Sequence, residues 1–432
     1  MNSRRLPTDQ HLRRALALWA CLAVAVCVKT AVCTDPHSVY PQFAASSHHW
    51  WADKSLYINY WPTEHIDGYR YSPAFAVAFT PLAYLPARLG TMIWDVVGIV
   101  LLVWALHVFV RDVLPGDWTP QRERLFLMLV LPGSIVGIWS GQSNAIIIAA
   151  IMLALAAIVR QRWWTAAILL AVPVFIKVWP LAIAVLLVFF WPRRLAWRLA
   201  VACVVLALVP FLTRPPSTVV WQYRQWYDGL TGPLQGRWPG YRDAWTIWAT
   251  LFPTGTWRAL ASPFERHAYA ALQLIAAGGV FGWCWRQYRR LDGADILVCP
   301  ISVSLRGRQE CLPHPVPKCG TNHLLLLIFS MWVSWQLLFG PGAEQLTYGI
   351  IAPSASWAVI VSLNERRARW LTVTAWAMLA LFSSGDVEMR VRLRFPAGEI
   401  LLPLGVVLFA AWLIWHERGP LCQGQESSRA EA

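Results

Sequence analysis

Residues 71–86 read YSPAFAVAFTPLAYLP, a run apolar enough for lipid but only 16 residues long, with prolines at 73, 81 and 86. How this stretch is counted decides the fold, because a full span here reverses the side on which every later loop emerges. A crossing helix needs ~20 predominantly apolar residues. Runs approaching that length lie near 15–33, 89–110, 125–139, 143–159, 163–176, 179–192, 196–212, 268–285, 323–339, 345–361, 370–383 and 400–415. With 71–86 left out and the N-terminus inside, the inside loops carry Arg111/Arg122/Arg124, Arg160/Arg162, Arg193/Arg194/Arg198, Arg286/Arg289/Arg290 and Arg366/Arg367/Arg369. That is the basic bias that orients membrane proteins; Arg390, Arg392 and Arg394 are its exception. Residues 71–86 are therefore expected to form a half-membrane or interfacial helix within the first outside loop. Irregular backbone around such a helix is tolerated only where it lines a cavity.

Composition points the same way: 57% of the 432 residues are hydrophobic and 14% are charged. The short alternating segments of ~10 residues that mark a membrane barrel are absent. The expected class is an all-α polytopic membrane protein with a bundle of about 12 transmembrane helices. Loop arginines account for the net charge of +14 better than nucleic acid does. Cys21, Cys27, Cys203 and Cys284 lie in apolar spans, which is burial rather than a disulfide framework. The opening MNSRRLPTDQHLRR and the apolar run after it read as a retained signal anchor. The chain divides into a cytoplasmic tail (1–14) and an N-terminal transmembrane module (15–212) with the first extracytoplasmic loop at 34–88. An extracytoplasmic loop with six tryptophans (213–262) follows. A C-terminal module (263–415) with a polar cytoplasmic loop at 286–322, and a cytoplasmic tail (416–432), complete it.

Several chemistries lack their signatures. There is no Gly-x-x-x-x-Gly-Lys phosphate loop, no His-Glu-x-x-His and no Asp-x-Asp. Asp95 is the only acidic residue well within an expected span, whereas a proton-coupled carrier would often need several. CLPHPVPKCGTNH (311–323) offers Cys311, His314, Cys319 and His323, yet their spacing fits no zinc pattern. No metal and no other cofactor is expected.

The remaining candidates each have more than one reading. Asp35, just past the first span, is either a base placed at the membrane surface or a solvated helix-end carboxylate. Lys177, in VFIKVWP, either snorkels or meets an anion such as phosphate. Glu344 and Tyr348, four apart in GPGAEQLTYGIIAP, are expected on one helical face, where they bind a hydroxylated acceptor, pair with an arginine or simply start the helix. Gln142 and Asn144, in GQSN, either belong to a site or cap the span they open.

In combination these pieces resemble glycosyltransferase family 87. The stretches are Asp35 with Tyr40, YRYSPAFAVAFTPLAYLP (69–86), GQSNAIIIAAIMLALA (141–156), AAILLAVPVFIKVWPLAIAVLLVFFWPRR (166–194) and WQLLFGPGAEQLTYGIIAPS (335–354). The family's usual Tyr-x-Tyr-Pro-Pro is YRYSP here, with Ser72 in place of a proline. The resemblance implies a GT-C architecture. It also implies transfer of a hexose, typically mannose, from a polyprenyl-phosphate donor to a lipid or glycan acceptor hydroxyl on the extracytoplasmic side, with inversion. Asp35 would be the base. Lys177 and Arg70, with His48 and His49 behind them, would bind the donor phosphate, and Tyr40, Tyr71, Gln142, Asn144, Glu344 and Tyr348 would surround the substrates. Membrane lipids are the other partners implied, and a bacterial plasma (inner) membrane is the location, with both termini cytoplasmic. Two alternatives remain: a transporter or flippase of lipid-linked saccharides, and a catalytically inactive relative.

Overall fold

The computed structural model describes residues 8–33, 38–58, 60, 64, 68–231, 241–251, 263–297, 318–340, 343–366, 368–383 and 396–417. Helix follows helix through them: α1 (Thr8–Val32), α2 (Tyr40–Trp51), α3 (Pro73–Ala83), α4 (Ala87–Asp112), α5 (Pro120–Trp139), α6 (Asn144–Val159), α7 (Trp163–Ile176), α8 (Leu181–Phe190), α9 (Trp197–Leu208), α10 (Pro216–Thr231), α11 (Ala244–Leu251), α12 (Pro263–Leu297), α13 (Lys318–Leu338), α14 (Ala352–Glu365), α15 (Arg369–Phe382) and α16 (Leu401–His416).

The innermost helix is α6, packed between α4 and α7. Ile147, Ile151, Met152, Leu155 and Ile158 are buried around its circumference. Its alanines at 149, 150, 154, 156 and 157 let neighbouring backbones approach, which is how helices associate where lipid supplies no hydrophobic drive. Peripheral helices instead turn aliphatic side chains outward, as Val24, Val204 and Leu274 show. Such side chains need no protein partner in a bilayer.

Among the described residues seven helices are long and apolar enough to cross a membrane: Leu12–Val32, Ala87–Asp112, Pro192–Leu212, Phe264–Leu291, Gly320–Leu338, Gln345–Glu365 and Gly398–His416. Asn144–Val159, Trp163–Ile176, Leu181–Phe190 and Arg369–Phe382 are apolar but only 10–17 residues long. The expected count of about twelve crossings is thus not carried by helix length. The Trp-rich stretch 213–262 is not merely a loop, because α10 and α11 lie within it. Trp221 and Trp248 are exposed there, whereas Trp245 is buried.

Within 71–86 lies α3, whose 11 residues give about 16 Å of helix, half the hydrocarbon thickness. Ser72 caps it by accepting the Phe75 N–H at 3.2 Å and donates its hydroxyl to the Phe175 carbonyl at the end of α7. Phe43 of α2 packs edge-on against Phe75, Phe79 and Trp94 at ring distances of 5.2, 5.4 and 5.6 Å. This aromatic cluster fixes α2, α3 and the start of α4 as one wedge.

The bundle has two chemically distinct ends. At one, Arg160 pairs with Asp112 at 2.6 Å, the Asn322 amide donates to the Asp112 carbonyl at 2.7 Å, and His323 meets Glu417 at 2.9 Å. The other end carries the turn before α6 and the break after α7.

One contact in the wedge is tight enough to test. A Cβ added to Gly90 would lie 1.9 Å from the Tyr40 hydroxyl oxygen and 2.9 Å from the Leu82 carbonyl oxygen. Overpacking of this kind costs about 1–3 kcal/mol. Gly90→Ala is expected to lower the thermal unfolding midpoint in detergent; an unchanged midpoint would show that the contact relaxes freely.

Candidate functional site

A cavity of about 400 Å³ opens at the end opposite the arginine-bearing turns. Its walls come from distant parts of the chain: Gln42 of α2, Arg70 and Tyr71 before α3, Gln142 before α6, Lys177 to Trp179 after α7, and Tyr241, Glu344 and Thr347.

Lys177 is its focus. Pro180 and an extended backbone at Lys177 (φ −135°, ψ 143°) prevent α7 from running on into α8. The break turns a lysine into the protein interior, with its tip partly open to the cavity. The ammonium donates to Asn144 Oδ1 at 3.0 Å and to Gln142 Oε1 at 3.3 Å, and lies 5.8 Å from the Tyr71 ring centre. The Asn144 Nδ2 donates to the Leu346 carbonyl at 3.1 Å, which turns its oxygen toward Lys177. Burial pushes the ammonium down to about 8, with Glu344 opposing the shift and Arg70 adding to it. Two neutral amides solvate this charge without neutralising it, so an anion entering the cavity would complete the set.

Arg70 and Glu344 stand at the rim, 3.5 Å apart, with side chains 61% and 36% exposed. A pair so open to water contributes little stability and exchanges readily. The rim is shaped by short-range backbone pairing: Tyr241 bridges Glu344, and the Arg242 N–H donates to the Ala343 carbonyl at 2.8 Å.

Other expected residues sit elsewhere. Tyr40 and Tyr348 are buried, their hydroxyls donating to the carbonyls of Leu82 and Arg242, so neither lines the cavity. Glu344 and Tyr348 do not share a face, because the helix there is a 3₁₀ turn, Gln345–Ile351. At three residues per turn, positions four apart point about 120° away from each other. His48 faces Tyr84 at 4.8 Å. His49 is buried, 2.8 Å from Glu64 Oε2, with its ring 4.1 Å from that of Tyr60. Neither histidine lines the cavity. No side-chain cap starts α6; Gln142 and Asn144 hold Lys177 instead.

Asp35 lies outside the described residues. Val39, four positions after it, lines the cavity, and its N–H donates to the Ser140 carbonyl at 2.9 Å. Cys311, His314 and the Cys319 side chain also lie outside them, while His323 is engaged by Glu417. Among the described residues no cluster of three or more His, Cys, Asp or Glu could hold a metal ion.

Sequence reasoning missed Gln42, Trp179, Tyr241 and Thr347. Trp179, two residues past Lys177, had a signal in its position at the break; it stacks on Trp332 of α13 at 5.6 Å and 25°. Gln42, whose amide donates to the Gly68 carbonyl at 2.7 Å, carried none.

Comparison with known proteins places these residues in a family. The polyprenol-phosphate-mannose-dependent alpha-(1-2)-phosphatidylinositol pentamannoside mannosyltransferase of Mycolicibacterium smegmatis is 30% identical over 309 residues, which are 66% of this chain and 65% of that protein. The alignment therefore covers just under two thirds of the relative's length. The sequence model of glycosyltransferase family 87 matches residues 69–304, more than half of the chain and the segment that carries Arg70, Tyr71, Gln142, Asn144 and Lys177. The chain belongs to glycosyltransferase family 87.

Proposed function

We propose that the protein is a membrane glycosyltransferase that moves a hexose, mannose being the first choice, from a polyprenyl-phosphate donor to a hydroxyl of a lipid or glycan acceptor. The observation that carries this reading is the buried Lys177, held by neutral amides at the floor of a cavity of hexose-accommodating size. The donor's phosphodiester brings one negative charge to that one buried positive charge, and Arg70 leaves Glu344 to add a second contact.

An amphiphilic donor also needs an apolar exit. A groove of about 90 Å³ lies between α8, α12 and α13, lined by Ala182, Leu186, Ala277, Val280, Trp332 and Trp335. The stack of Trp179 on Trp332 joins it to the cavity wall, so a head at Lys177 and a hydrocarbon tail in the groove fit one molecule. The cavity end would face the extracytoplasmic side and the arginine end, with both termini, the cytoplasm. On that arrangement the short apolar helices α6, α7, α8 and α15, together with α5, join the seven long ones in a bundle of about twelve crossings.

The acceptor oxygen attacks the anomeric carbon from the face opposite the phosphate, with inversion. A new C–O bond forms as the bond to the phosphate oxygen breaks, and the electron pair leaves with the polyprenyl phosphate. The hydroxyl proton passes to the Asp35 carboxylate. Lys177 and Arg70 offset the charge that develops on the leaving phosphate.

The primary test is transfer from radiolabelled polyprenyl-phosphate-mannose in membranes, where Asp35→Asn should reduce the rate on the order of 10²–10⁴-fold. Unchanged transfer would move the base to Asp53 or Glu344, and no transfer by wild type would remove the donor assignment.

The pH dependence follows from Lys177, which is protonated below about 8 and neutral above it. Donor kcat/KM should therefore fall as pH rises through 8, and Lys177→Arg should move the fall upward, since arginine keeps its charge to a pKa of ~12 or more. A profile that is flat through this range in both proteins would show that the ammonium does not bind the phosphate.

Filling the groove with Ala277→Trp should raise KM for a long-chain donor and spare a water-soluble donor with a short chain. Equal effects on both donors would place the tail elsewhere.

A further inference from the structure

The end of the bundle opposite the cavity carries a surface the transfer reaction does not use. Two turns meet there, Arg160–Arg162 between α6 and α7, and the π-helical turn Pro192–Ala196 between α8 and α9. They are stitched together by Arg194, whose Nη1 donates to Gln161 Oε1 at 2.7 Å. Aromatic contacts add to the stitch: Trp163 lies 6.5 Å from Trp191, and Trp164 meets Trp197 edge-on at 4.9 Å.

Two of the arginines here lie over indole rings. Arg194 lies 5.4 Å from the Trp163 ring centre, and Arg198 lies 5.7 Å from Trp164 and 4.4 Å from Trp197. One Nη of each is already used, by Gln161 for Arg194 and by the Arg194 carbonyl at 2.6 Å for Arg198; these contacts fix the guanidinium groups and leave their remaining donors for a planar acceptor such as phosphate. Five arginines share the surface, and the one ion pair there among the described residues is Arg160 with Asp112. Arg162 and Arg193 are exposed, and the Arg198 Nε is buried without a hydrogen-bond partner.

What borders the patch selects the ligand. Ile168, Val185, Val201 and Val204 are exposed apolar side chains leading away from it along α7, α8 and α9. A soluble phosphate would have no use for them, whereas acyl chains would lie against them while indoles sit at headgroup level. We infer that these two turns form a binding surface for the headgroup of an anionic glycerophospholipid. Lys177 and Arg162 sit at opposite ends of α7, whose 14 residues span about 21 Å. The surface is therefore separate from the cavity, and one helix connects the two.

The test uses the full-length protein in neutral detergent, titrated with dispersed phosphatidylglycerol, phosphatidylcholine or inorganic phosphate while the thermal unfolding midpoint is followed. A saturable rise with phosphatidylglycerol alone, shrinking with added salt, is expected. The triple variant Arg162→Gln/Arg193→Gln/Arg198→Gln should need on the order of 100-fold more of that lipid for the same rise. Arg366→Gln/Arg369→Gln should behave as wild type. Should the triple variant fail to fold, Arg162→Gln/Arg193→Gln, which alters only exposed side chains, takes its place with a smaller expected shift. An equal rise with phosphatidylcholine, an equal rise with inorganic phosphate, or a wild-type response of the arginine variants would each overturn the assignment.

Discussion

The structure turns on a positive charge placed where it is expensive. Transferring an ammonium out of water is unfavourable unless it is paired or hydrogen-bonded. Here the Lys177 partners are two amide oxygens and the face of an aromatic ring rather than a carboxylate. Each partner needs its own support. Asn144 is oriented by the Leu346 carbonyl, and Gln142 belongs to a turn in which Gly141 adopts φ +64°. A side chain at Gly141 would meet the Ser38 hydroxyl at 2.6 Å. The wedge of α2, α3 and α4, the start of α6 and the 3₁₀ turn before α14 are thus all positioned around one ammonium.

That arrangement suits the cavity to an anion. A carboxylate partner would have neutralised the lysine and made an anion superfluous; neutral amides solvate the charge without satisfying it. The carboxylate that is present, Glu344, sits at the rim with Arg70 and is open to water. In the proposed function the lysine would attract the donor's anion, and the shallow ion pair of Arg70 and Glu344 would yield to it. The apolar groove beyond Trp179 and Trp332 would extend the same logic to the hydrocarbon tail of the proposed donor.

Legibility in the sequence tracks how local each cause is. Apolar runs are visible because lipid demands them residue by residue, and the arginine-bearing turns do gather at one end of the bundle through contacts such as Arg160 with Asp112. The number of crossings is not visible, because α6, α7, α8 and α15 are too short for length to decide. Lys177 stood out since a charge in an apolar run is anomalous by itself. The histidine pair misled because neighbours in a helix point about 100° apart, sending His48 to Tyr84 and His49 to Glu64. Glu344 and Tyr348 were expected on one face, which assumes an α-helix where the chain makes a 3₁₀ turn. Gln42, Tyr241 and Thr347 are brought in by tertiary packing alone, for which no local pattern exists.

Ser72 is the departure from the family pattern that most needed a physical account. A proline at that position could neither donate nor accept through its side chain. The serine does both, capping α3 through Phe75 and donating to the Phe175 carbonyl. That carbonyl is among the last four of α7, which have no partner within the helix, and it stands two residues before Lys177. The substitution exchanges a rigid φ for a hydrogen bond that ties the first wall of the cavity to the backbone presenting the lysine. Tyr71, between Arg70 and Ser72, is held in the same movement against Phe43 at 4.9 Å. The altered motif therefore holds the aromatic wall of the cavity in place beside the backbone that carries Lys177.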